Sequence, residues 1–447
     1  MSSHDPVSAA VFRASDVVWG PWTLVLLLGS GLFLSLRYRL PQVVRFREAL
    51  RNAVPTQETG AGGALSPFQA FTTALAASIG TGNIAGVATA VVSGGPGAVF
   101  WIWCYGFFAT TIKLTEAVLG IRFRRLDGDR VSSGPMYYLR DGLGSPALAW
   151  VYALVAAIAA LTTTPFTQPN SMAVVLESQF GIRPWISGVV IAVLAWLVII
   201  GGIQSIGRAA EKLAPLKVLL YVAGGLVVIV THVAHLPGVL ALIVREAFSL
   251  KAAGGGAAGL GMMVAMRYGL ARGIYANEAG YGTAAVAYGT ARSRRPVQQG
   301  LNAVLEVFTV SCVTSSISAL TILVSGVWKS GLTSTAAVAA AFGTAIPVVG
   351  GWIVAFCAFL FGYTTLVGWA YYGEQFLEYL FGPRLTKPYR WTYCGLIVFG
   401  ATSKVDLVWA WGDLMNGLQI FPNMVGVLGL SGVVAATLRA APVEAPS

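Results

Sequence analysis

Residues 78–86 read SIGTGNIAG: three glycines, a threonine and an asparagine, with no charged residue on either side. Two chemistries suit such a stretch. One is a phosphate cradle, in which glycines let backbone N–H groups approach a pyrophosphate at a helix N-terminus. The other is a helix broken inside a membrane, whose freed N–H and C=O groups become ligands. The first fails on its surroundings. Gly80, Gly82 and Gly86 fall one residue outside the G-x-G-x-x-G spacing, and no Asp, Glu, Lys or Arg occurs from Thr59 to Ile112. The acidic residue that would hold a ribose about 20 positions on is therefore missing.

A break offers two kinds of ligand. The half-helix that starts after it presents N–H donors and a positive dipole to a carboxylate; the one that ends before it presents carbonyl oxygens to a small cation. Ser78, Gly80, Thr81, Gly82 and Asn83 lie where both are available, and the glycines let a small substrate reach the backbone. A second interrupted stretch, RGIYANEAGYG, carries Asn277 and Glu278. Polar groups at membrane depth are expensive and mark function. Thr364 and Thr365 in FGYTTLVGW are adjacent hydroxyls that can ligate a hard cation or bond back to their own helix. Gln168 and Asn170 flank Pro169 and either meet a substrate's ammonium or satisfy carbonyls that the proline frees. Lys113 and Glu116 stand at i, i+3 and are expected to neutralise each other. Cys104, Cys312, Cys357 and Cys394 have no metal spacing, His232 and His235 are a weak pair, and no nucleophile–base arrangement suggests an enzyme.

The elements that position these groups are membrane helices. The 447 residues are 56% hydrophobic and 11% charged, with mean hydropathy +0.72, and no cleavable signal pattern opens the chain. The net charge of +11 reads as basic loops at a membrane face, with no nucleic-acid partner. Apolar runs give eleven spans, at 17–37, 66–92, 97–121, 146–178, 184–203, 213–233, 258–288, 298–326, 348–380, 389–403 and 407–437. Segments 236–250 and 333–345 are placed as surface helices on the outer side. Arginine clusters at 37–51, 122–140 and 292–295 set the N-terminus outside and the C-terminus in the cytoplasm. The expected fold is all-α: an N-terminal helix and basic loop (1–65), then a core (66–440) of five plus five helices in inverted repeat, 66–233 and 258–437. A discontinuous helix opens each half.

Several stretches, in order, resemble the alanine/glycine:cation symporter family, also called sodium:alanine symporters: SPFQAFTTALAASIGTGNIAGVATAVVSGGPGAVFWIW, ARGIYANEAGYGTA, QGLNAVLEVF, GWAYYGEQFLEYLFG and DLMNGLQIFPN. The resemblance runs from about Ser66 to Leu430. It implies a leucine-transporter-like fold and cotransport of Na⁺, in some members H⁺, with alanine or glycine across a bacterial plasma membrane. It places the substrate carboxylate at Thr81, Gly82 and Asn83, and further substrate contacts at Gln168 and Trp369. It also places sodium on the carbonyls of Ala76 and Ile79 and the hydroxyls of Thr364 and Thr365. The chain departs from the family pattern at Pro169 in TQPNS and at YGTAAVAY, where LGSAPIAH is common. No organic cofactor is expected. A passive channel, the rival reading, needs a continuous polar path that scattered breaks do not suggest.

Overall fold

The computed structural model describes residues 6–52, 62–127, 130–249 and 260–441. Expectations that fall on residues 1–5, 53–61, 250 and 258–259 lie outside the described residues. Regular structure is helical except for a hairpin of Arg125–Asp127 (β1) and Arg130–Ser132 (β2).

The helices follow the expected spans, with informative departures. The first is preceded by a separate helix: α1, Pro6–Val18, ends before Gly20, and α2 runs Pro21–Arg37 with proline in its first turn, where no N–H is missed. The second span is broken, as α3 (Pro67–Ser78), a 3₁₀ turn at Thr81–Asn83 and α4 (Ala85–Gly94), bent by 60°. A capping box starts α3: Ser66 Oγ accepts from Gln69 N, and Gln69 Oε1 accepts from Ser66 N, both at 3.1 Å. Then follow α5 (Gly97–Arg122), α6 (Pro146–Thr162), α7 (Thr164–Phe180) and α8 (Pro184–Ile199).

The sixth span begins eleven residues earlier than its apolar pattern suggests. Helix α9 runs Gly202–Thr231, with Pro215 inside it, so the charged stretch RAAEK, which falls between the expected fifth and sixth spans, is helical. Lys217 thereby moves from the edge of a span to the middle of a helix. Helix α10, Leu236–Ala247, follows on the short segment expected there.

The second broken helix comprises α11 (Leu260–Asn277) and α12 (Thr283–Gly289). Between them Gly280 and Gly282 adopt φ of +95° and +86°, which only glycine takes without strain, and Glu278 takes φ +56°. Helix α13 (Pro296–Phe308) passes through a π-helical turn at Thr309–Thr314 into α14 (Ser315–Val324). Helix α15, Ser334–Ala345, was placed on the surface by its length. Instead it buries Ala337, Val338, Ala341 and Phe342 against α4 and the long α16 (Val349–Phe381), its small residues permitting close approach. Helices α17 (Thr386–Thr402), α18 (Val405–Gly429) and α19 (Ser431–Ala440) complete the chain, the last two bent by 51°.

Six described helices are long and apolar enough to cross a membrane, or eight if each sharply bent pair is one crossing. Others among the expected eleven, such as the 16-residue α8, fall short of the roughly 20 residues a bilayer needs. The protein is a multi-pass membrane protein. Its two broken helices lie side by side: α3 packs on α12, and α4 packs on α11. The first piece of each meets the second piece of the other, so they run antiparallel and bring both breaks to one level.

Candidate functional site

The breaks enclose a small cavity, with about 20 Å³ of room for the centres of water-sized molecules. Ser78, Gly80, Gly82 and Asn83 line it from the first break, and Glu278 and Tyr281 from the second. Thr164 and Gln168 of α7, Thr365 and Trp369 of α16 and Asn416 of α18 close the sides. Gln168 Oε1 accepts from both Thr81 N (3.1 Å) and Thr81 Oγ1 (2.9 Å). The neighbouring Gly82 N–H has no acceptor among the described residues, which leaves a backbone donor free at the cavity. Glu278 is fixed by Trp369 Nε1 at 2.6 Å and Thr283 Oγ1 at 3.0 Å. The site thus sets a free N–H donor at one break against an oriented carboxylate at the other, which complements a zwitterion.

On one side the cavity is closed by Tyr275, whose hydroxyl donates to Thr167 Oγ1 (3.2 Å) and whose ring lies 5.3 Å from that of Trp409. Arg272 pairs with Asp413 at 3.1 Å, tying α11 to α18, and its guanidinium sits over Trp409. These groups also border a wider cavity of about 680 Å³ that includes Asp16, Trp19 and Arg267. A second wide cavity, about 620 Å³, is lined by Arg130, Gln204, Glu374, Glu378, Arg384 and Arg390. The small chamber therefore has a plug of paired charges and two tilted aromatic rings on one side.

Buried ions secure the backbone ends that the breaks expose. Lys113 of α5 donates to Asn277 O (2.6 Å), Ser78 Oγ (3.0 Å) and Glu306 Oε1 (2.6 Å), so one ammonium meets the C-terminal ends of both α3 and α11. Ser78 Oγ also contacts Glu306 Oε1 closely, and Tyr288 donates to Glu306 Oε2. Glu116, one turn from Lys113, accepts from Gly280 N (3.0 Å), Gly282 N (3.1 Å) and Asn423 Nδ2 (2.8 Å). The expected Lys113–Glu116 pair is thus replaced by two caps of opposite sign, each set against the dipole end it complements. Spacing along one helix gave no access to partners more than 160 residues away.

The oxygens expected to hold sodium do converge, on a different cation. Lys217 Nζ lies 3.0 Å from Ala76 O, 2.6 Å from Ile79 O and 2.5 Å from Thr364 Oγ1. Thr365, the fourth expected ligand, turns its hydroxyl to Ala77 O at 2.8 Å and lines the chamber. These residues do not fit a sodium ion in this arrangement. The Lys217 nitrogen fills the place between the oxygens.

The residues 4–441 match the family described as the sodium:alanine symporter family. The chain belongs to the sodium:alanine symporter family. Relatives of this symporter include the sodium/alanine symporter AgcS of Methanococcus maripaludis, 39% identical over 96% of each chain. The probable sodium/glutamine symporter GlnT of Bacillus subtilis is 34% identical over 95% of this chain and 89% of its own. The fold is leucine-transporter-like, as in the crystal structure of MhsT in complex with L-phenylalanine. That structure gives TM-score 0.61 at 12% identity, over 85% of this chain and 99% of the other. This family member is therefore an amino-acid/cation transporter and not an enzyme.

Of the eight residues expected at the symporter's substrate, six line the chamber: Ser78, Gly80, Gly82, Asn83, Gln168 and Trp369. Thr81 stands behind them, held by Gln168, and Asn277 turns its Oδ1 to Ser311 Oγ (2.8 Å). Asn170 points away, donating to Ser403 O at 2.8 Å. Sequence reasoning passed over Tyr275, Asn416 and Lys217 as site residues, and left Glu278 as a mark of the break. The signal for Asn416 and Lys217 was present, since each is a polar group inside an apolar helix.

Proposed function

We propose that this protein is a secondary active symporter that carries a small zwitterionic amino acid, alanine or glycine, across the bacterial plasma membrane with a cation by alternating access. The observation that carries the reading is that Gly82, whose N–H has no acceptor among the described residues, lines the same small chamber as Glu278. The substrate carboxylate docks on the N–H groups around Gly82, with Asn83 and Gln168 beside it, and the ammonium faces Glu278. Trp369 and Tyr275 limit the room left for a side chain, which favours hydrogen or methyl. Relatives are named for alanine and for glutamine, so wall residues rather than the backbone cradle set the choice.

The arrangement also supports alternation. Arg272–Asp413 and Tyr275–Trp409 separate the chamber from the wider cavity between α1, α4 and α11, and parting them would admit substrate. The arginine-rich loops support a reading with that cavity on the outer side and the C-terminus in the cytoplasm. The family's name makes sodium the default coupling ion, yet Lys217 holds the oxygens that would receive it.

Thermal unfolding of the purified protein tests the substrate site. Alanine and glycine should raise the melting temperature, while alaninol, lacking the carboxylate, and propionate, lacking the ammonium, should not. Equal stabilisation by alaninol would contradict a carboxylate cradle at Gly82.

A further inference from the structure

We infer that an arginine-lined cavity between the end of α2 and α19 binds the phosphate headgroup of an anionic membrane phospholipid. It lies apart from the substrate chamber and holds whichever solute and ion the chain carries.

The cavity measures about 340 Å³ and is lined by Arg37, Arg39, Arg45 and Arg439, with no acidic side chain among its lining residues. Arg45 is already engaged. Its Nε and Nη2 meet the two carboxylate oxygens of Glu48, each at 2.7 Å, and its Nη1 donates to Ala441 O at 3.1 Å. It therefore braces the wall against the end of α19. Arg37, Arg39 and Arg439 make no hydrogen bond or ion pair among the described residues. Three like charges drawn from the two ends of the chain thus share one opening, at a repulsive cost that an anion between them would relieve. The guanidinium fork matches phosphate oxygens two at a time.

The backbone holds this cluster in place. Arg39 and Leu40 adopt φ of +63° and +53°, and two successive non-glycine residues in the left-handed region carry strain that only their surroundings can maintain. Leu40 N donates to Ser35 O at 2.7 Å, and the chain turns directly into the short helix Pro41–Val44, which brings Arg39 and Arg45 to the same cavity as Arg37. Tyr38 forms part of the lining and is fixed from α5, its hydroxyl accepting from Thr115 Oγ1 at 3.1 Å. Arg37 reaches across to α19, where a Cβ added at Gly432 would stand 3.4 Å from its Nη2.

Depth and apolar surface select a lipid over a soluble anion. Helix α2 has 17 residues and is about 26 Å long, close to the roughly 30 Å of a hydrocarbon core, so Arg37 at its end stands at headgroup level. Leu36, Val43 and Val44 beside the arginines are 65%, 58% and 61% exposed and offer acyl chains a surface. Basic pockets of this kind between membrane helices suit anionic headgroups, whereas a zwitterionic lipid brings a cation that three unpaired arginines repel. The following helix, Phe46–Asn52, packs on α13 with the Phe46 ring edge-on to Phe308 at 4.9 Å. A bound lipid therefore joins α2 and α19 beside the helix that carries Glu306.

The test uses purified full-length protein, delipidated in a neutral detergent and titrated with dioleoyl phosphatidylglycerol, dioleoyl phosphatidylcholine or inorganic phosphate. Melting temperature is followed and retained lipid is counted by native mass spectrometry. Phosphatidylglycerol should raise the melting temperature saturably, and the other two should not. The double variant Arg37→Gln/Arg439→Gln should bind phosphatidylglycerol about tenfold more weakly or worse. Arg384→Gln/Lys387→Gln, which removes the same charge from a different cavity, should bind it as the wild type does. Should the first double variant fail to fold, Arg39→Gln alone takes its place with the same expectation. Equal stabilisation by phosphatidylcholine, or protection by inorganic phosphate alone, would overturn the lipid assignment. Equal weakening in both double variants would show diffuse charge attraction and overturn the site.

Discussion

Single atoms decide what this chamber accepts. A Cβ added at Gly82 would lie 2.7 Å from Tyr275 Cδ1, so any side chain there pushes on the aromatic wall. Gly82→Leu should abolish alanine-induced stabilisation, and overpacking should lower stability by only about 1–3 kcal/mol. Collapse of the fold would make Gly82 a packing residue, and retained binding would refute the carboxylate site. The two threonines of α16 separate at the same scale. Thr364→Val deprives a buried ammonium of one acceptor, whereas Thr365 bonds a carbonyl, Ala77 O, beside the chamber. Thr364→Val should therefore cost about 1–3 kcal/mol and shift the ion dependence of uptake. Thr365→Val should act chiefly on apparent alanine affinity. Equal effects of both on ion dependence would contradict this division. The Gly-Thr-Gly-Asn run was legible in sequence because glycine and polar residues in an uncharged stretch have few other uses. The roles of Thr364 and Thr365 were not, since a hydroxyl's partner depends on a helix elsewhere in the chain.

At the scale of elements, a broken membrane helix persists only where its freed ends find partners. Here the partners are charges: Lys113 at the ends of α3 and α11, Glu116 at the start of α12, Lys217 at the end of α3. Glu116→Gln keeps an acceptor oxygen for Gly280 and Gly282 and should change the melting temperature little. Glu116→Leu leaves those N–H groups buried without an acceptor and should cost about 3 kcal/mol or more of stability. If both variants melt alike, the cap is dispensable. Both breaks were readable from glycine placement, and the all-helical, multi-pass character from apolar runs. The start of α9 was not, because RAAEK has the charge content of a loop, and only packing of its apolar side against α3 makes it helix.

For the whole molecule, the antiparallel pairing of two broken helices makes one chamber between them. Coupling then rests on driving energy. One positive charge crossing about 100 mV releases roughly 2.3 kcal/mol and a tenfold gradient adds about 1.4, enough for about 500-fold accumulation per coupled ion. A pore with the same chamber could only equilibrate its solute. Sequence pattern reached this level through the resemblance of long motifs in order, while the contacts of Arg272 with Asp413 and of Tyr275 with Trp409 emerged only where α11 meets α18. The most direct test of the account is the steady-state ratio of labelled alanine inside to outside proteoliposomes held at an inside-negative potential with inward cation gradients. The account predicts a ratio well above one that falls to one when the gradients and the potential are dissipated; a ratio of one under every condition would contradict it.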